Sequence, residues 1–101
     1  MLLERVVPIE KFLYKYISVS TMDEFYFQGR KVWISVHAVK RARQREIIYP
    51  DMVYATINGG RIKRFGKNMI KFIKRYKRGT VICVGEIVGD SVIIKTVEWG
   101  N

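Results

Sequence analysis

The chain has 101 residues, 49% of them hydrophobic, which is enough for one buried core at the usual size of a single domain. Nineteen Lys and Arg stand against nine Asp and Glu, a formal net charge of +10 that favours a polyanionic partner. No segment approaches the roughly 18 uncharged apolar residues of a membrane span. One Cys with one His cannot make a structural zinc site, so no membrane, metal or cofactor is expected.

The charge is unevenly placed. Between Arg30 and Arg78 there are fifteen basic residues and two acids, Glu46 and Asp51, while the two flanks together are net acidic. Segregation of this kind suits nucleic acid, because each Lys or Arg that neutralises a phosphate releases condensed counterions. Thirteen Ile and abundant Lys also resemble the composition of proteins from hot habitats. A chain this short leaves much of its surface exposed, and a homodimer would cover part of it.

In chain order, the opening MLLERVVPIEKF is broken by Glu4, Arg5 and Pro8, unlike a secretory signal. With its lone Cys83 inside an apolar run, the protein is expected to be soluble and cytoplasmic, the thiol a buried structural one. The first twenty residues predict a short helix, with Pro8 in its first turn and Phe12, Leu13, Tyr16 and Ile17 at helical spacing. Glu24 to Phe27 and Lys31 to Ile34 flank Gln28-Gly29-Arg30 and predict a hairpin. Residues 1–30 are read as an N-terminal helix and hairpin extension of a single domain whose core spans 31–99.

Ser35 suits the N-cap of a helix from about Val36 to Glu46. Pro50 and Asp51 open a second helix, which carries Met52, Val53, Ala55 and Ile57 and stops at Asn58-Gly59-Gly60. Four strands follow: Arg61 to Phe65, Met69 to Tyr76, Thr80 to Val88 and Ser91 to Trp99, joined by short Gly-containing turns. The expected fold class is therefore α+β, two helices packed on a four-stranded antiparallel sheet.

Three groups of residues could carry function. On the first helix, His37, Arg41 and Arg45 recur at i, i+4 and i+8 with Lys40 beside them. His37, the only histidine, belongs to the residue type that most often moves protons in catalysis; the plainer reading is a surface or capping side chain. In the strands, Arg61, Lys63 and Arg64 lead into Met69 to Tyr76, where alternation puts Lys71 and Arg75 on one face with Met69 and Ile73. Cations interleaved with aromatics suit phosphates and stacked bases. Lys95, inside the apolar strand Val92 to Val97, is either paired with Glu86 or Glu98 or functional.

Ser35-Val36-His37-Ala38, then Arg41 and Arg45, then Ile47-Ile48 and a Pro-Asp-led helix ending at Asn58-Gly59, resembles a family of small domains grouped with RelE- and BrnT-like toxins. These belong to the barnase–EndoU–colicin–RelE ribonuclease superfamily. Gly85-Glu86 and Val92 to Val97 are similar to that family's last hairpin, and the resemblance runs from about Val32 to Trp99. It implies a RelE-like fold, a metal-independent endoribonuclease without cofactor, and an acidic antitoxin as partner. RNA is favoured over DNA as the nucleic acid. His37 and Lys95 would then be catalytic, and Lys40, Arg41, Arg45, Arg61, Lys63, Arg64, Lys71 and Arg75 would hold nucleic acid. The alternatives are a non-catalytic DNA- or RNA-binding protein, or an interaction subunit for an acidic protein.

Overall fold

The computed structural model describes residues 25–100; the helix expected in the first twenty residues lies outside them. The element order is β1 (Tyr26–Phe27), β2 (Arg30–Ile34), α1 (Val36–Gln44), α2 (Asp51–Gly59), β3 (Arg61–Phe65), β4 (Met69–Tyr76), β5 (Gly79–Val88) and β6 (Ser91–Gly100). All six strands form one sheet in the order β1-β2-β6-β5-β4-β3. The expected four-strand meander is present as β3 to β6. The expected architecture of two helices on a four-stranded antiparallel sheet is not: the chain is mostly sheet, six-stranded and mixed, with two short helices.

The difference lies in one pairing. β2 runs parallel to β6, with Lys31 beside Ser91, Val32 beside Val92, Trp33 beside Ile93 and Ile34 beside Ile94. The hairpin read as an extension is thus built into the sheet. Local periodicity specifies strands but not partners some sixty residues away. One cue was present all the same. Val32, Trp33 and Ile34 are consecutive and all buried, as are Val92, Ile93 and Ile94. Unbroken apolar runs of this kind belong to strands covered on both faces.

The core gathers on one face. Val32, Ile34, Ile70, Phe72, Val81, Cys83, Val92, Ile94 and Val97 from the sheet meet Ala38, Val39 and Ala42 of α1 and Val53 and Ile57 of α2. The sheet curls around them. Phe27 of β1 packs edge-on against Phe72 of β4 with ring centroids 4.9 Å apart. In a flat sheet at ~4.8 Å per strand those two strands would lie about 19 Å apart.

Caps and turns set the element ends. Ser35 accepts a 2.9 Å hydrogen bond from the Ala38 amide, the predicted N-cap, while its own amide donates to the Ile94 carbonyl at 3.0 Å. α1 ends two residues earlier than expected. Its close is a left-handed turn in which Ile47 N–H reaches the Ala42 carbonyl at 2.8 Å and Glu46 takes φ 59°. At the end of α2, a Cβ on Gly60 would lie 2.6 Å from the carbonyl oxygens of both Thr56 and Ile73. Glycine there lets the helix end touch β4 and turn directly into β3.

Candidate nucleic-acid interface

The β3–β4 hairpin is the most basic part of the molecule. Residues 61–76 contain Arg61, Lys63, Arg64, Lys67, Lys71, Lys74 and Arg75 and no acid. β3 is the last strand of the sheet, hydrogen-bonded to β4 alone, and four of its five residues are exposed. Charged side chains on such an edge discourage pairing with another chain. One or two cations would serve that purpose, so seven on one hairpin call for a further reason.

Register sorts them by face. Arg61 pairs with Ile73, Lys63 with Lys71 and Phe65 with Met69, so these residues share one face with Arg75. This is the face turned away from the helices, since the alternate residues Ile70 and Phe72 enter the core. Lys63 and Lys71 stand directly opposite each other, an arrangement that costs stability. Lys71 Nζ lies 5.1 Å from the centre of the Phe65 ring. Arg64 sits on the opposite face, paired with Ile70. Among the described residues the ion pairs join Arg78 to Glu46 and Lys95 to Glu86, and neither touches the hairpin.

At its base this face forms a cleft of about 620 Å³. Ile73 and Ile82, cross-strand partners on β4 and β5, share it with Thr80, Gly60, Arg61 and Arg75. Both isoleucines are only partly buried.

The α1 cations behave differently. Arg41 Nε donates to His37 Nε2 at 3.2 Å and its Nη1 to Gln44 Oε1 at 3.2 Å, so the predicted i, i+4 stack is real. Lys40 is exposed. Arg45, placed by sequence on the same stripe, turns inward instead. Its Nη1 donates to the Val97 carbonyl at 2.8 Å, and its own carbonyl accepts from Trp99 Nε1 at 2.7 Å. The helix ends at Gln44 and Arg45 is its C-cap at φ −98°, ψ 7°, so wheel geometry no longer applies to it. Arg45 is a tie between helix and sheet.

Lys95 is paired, as one reading had it: its Nζ lies 2.8 Å from Glu86 Oε1. It occupies a bulge, the residue left over in β6 where Thr96 faces Val84 but Ile94 faces Gly85. The arrangement therefore brings Arg61, Lys63, Lys71 and Arg75 together, keeps Lys40 and Arg41 on the helix, and commits the Lys95 ammonium to Glu86. Lys67, Lys74 and the isoleucine pair were not nominated from sequence. Lys67 had a signal in its turn position at the hairpin tip, whereas the Ile73–Ile82 pairing needed the β4–β5 register. Cys83 is fully buried, and burial pushes its thiol up to about 12, in keeping with a structural role.

No helix among the described residues is long and apolar enough to cross a membrane. No protein-family model matches the sequence, and neither a curated protein nor a solved structure matches the chain. What the molecule defines by itself is a curled mixed sheet, two helices in its hollow, and a basic two-stranded arm at one edge.

Proposed function

We propose that this protein binds nucleic acid through the outward face of the β3–β4 arm. The observation that carries the reading is the cluster of Arg61, Lys63, Lys71 and Arg75 on one face, with no carboxylate among the described residues to neutralise it. Like charges held opposite each other lower stability unless an anion joins them. If all four reached phosphates, log K would fall with log salt at a slope of about −2.8 on a single strand and about −3.6 on B-form duplex DNA. Exposed Lys40 and half-buried Arg41 supply weaker, peripheral attraction. Cytoplasmic residence fits a nucleic-acid partner and a buried, unpaired thiol.

Binding is better supported than cleavage. Attack by a ribose 2′-OH needs an acid and a base that converge on one phosphate. His37 is bonded to Arg41 on the helix, while Lys95 is bonded to Glu86 across the sheet. The test is incubation with labelled RNA and DNA in EDTA, beside a His37→Ala variant. Retarded migration without cleavage, equal in both proteins, is expected. RNA cleavage lost in the variant would replace this reading with a metal-independent ribonuclease. Tight binding to an acidic protein with none to nucleic acid would make the arm a protein-docking surface.

A further inference from the structure

The cleft at the base of the arm combines two kinds of surface. Its floor is Ile73 beside Ile82, an apolar cross-strand pair left partly open on a face otherwise rich in cations. Arg61 and Arg75 line it from the same face, and Lys74 lines it as well. Arg61 faces Ile73 across the ladder and Arg75 lies two residues further along β4. The two guanidinium groups therefore start from diagonal positions about 7–8 Å apart, close enough to flank one phosphate. Both have five N–H donors in the planar fork that suits phosphate oxygens. A volume of about 620 Å³ is enough to hold one small unit.

An occupant must be flat and apolar on one side and anionic at its edge. A nucleotide meets both requirements, and only when its base is unpaired, because in a duplex the base faces are covered by neighbouring pairs. Resting on the arm's role as a nucleic-acid surface, we infer that this cleft seats one nucleotide of a single strand, with its base on Ile73 and Ile82 and its phosphate between Arg61 and Arg75. Gly60 matters to the same site. With no side chain it keeps the helix end against Ile73, where any Cβ would collide with the Ile73 carbonyl. From the cleft the strand continues along Lys71 and Lys63 towards Phe65. Side chains on one face of a strand recur about every 6.6 Å, a spacing suited to successive phosphates of an extended chain.

The inference separates base seating from charge. Ile73→Lys adds a cation while removing the apolar floor. Affinity for a labelled oligouridylate should fall about tenfold, the loss of one seated base, while affinity for duplex RNA of equal length holds or rises. Tightening of both by the added charge would overturn the cleft inference and leave the arm reading intact. Failure of the unaltered chain to bind either would overturn both. Methyl spectra of the unaltered protein make the inference independent of the variant's folding. With saturating oligouridylate, the δ-methyl signals of Ile73 and Ile82 should shift by ring current while that of fully buried Ile94 stays put. Unmoved Ile73 and Ile82 signals in the bound protein would overturn it.

Discussion

The helix α1 and the β3–β4 arm are comparably dense in Lys and Arg, yet the fold uses the two sets differently. On α1 Arg41 is bonded to His37 and Gln44, and at its C-cap half-buried Arg45 donates to the Val97 carbonyl. On the arm, Arg61, Lys63 and Arg75 make no side-chain hydrogen bond or ion pair among the described residues, and Lys71 faces another lysine. Basic residues on a helix that packs on a sheet can tie the two layers together. Those on an edge hairpin have no layer to reach. Charge density read along the sequence therefore does not tell which cations are tied up by the fold and which are left on the surface.

The sharpest way to break this contrast is charge reversal. Lys63→Glu combined with Lys71→Glu should weaken nucleic-acid affinity by about 100-fold, as two phosphate contacts become repulsions, whereas Lys40→Glu should change it by less than about threefold. Fluorescence anisotropy of a labelled oligonucleotide measures both. Equal losses would dissolve the distinction between the two regions.

Next in size is Arg45. Truncation to Ala removes a charged donor from a half-buried carbonyl, and unfolding in urea should register a loss of about 2 kcal/mol. Nucleic-acid affinity should remain within about twofold. A variant that folds normally but binds poorly would return Arg45 to the interface.

Lys63→Glu alone gives a smaller and more telling effect. It turns a like-charged cross-strand pair into an attractive one, so stability should rise by about 0.5 kcal/mol while binding weakens. Opposite signs in the two assays are expected of a residue kept for a ligand. Smallest is Glu46→Gly at the end of α1. Glu46 holds φ 59°, where a side chain is strained, and its exposed pair with Arg78 at 3.3 Å contributes little. A gain of a few tenths of a kcal/mol in the same urea titration is the expected result.

Much of the fold was legible because local physics determines it. Ser35 acts as the N-cap that its position implied, and the four C-terminal strands begin and end within one residue of the sequence expectation. Apolar alternation and glycine turns are short-range signals, and they sufficed there. The parallel β2–β6 pairing was not legible as a pairing, since it joins strands with two helices and three strands between them. It overturned the expected sheet. The site divides in the same way. Faces of β4 could be read by counting in twos, which placed Lys71 and Arg75 with Ile73. Arg45 could not be placed, because its direction depends on where the helix stops and which strand lies beneath.

The central claim is that the arm, and not the helix, meets phosphate. The most direct measurement is the salt dependence of binding to a single-stranded oligonucleotide, comparing the unaltered chain with two neutralised variants. Lys63→Gln with Lys71→Gln should flatten the slope of log K against log salt by about 1.4, and Lys40→Gln with Arg41→Gln should leave it nearly unchanged. A slope that flattens with the helix pair and holds with the arm pair would contradict the claim.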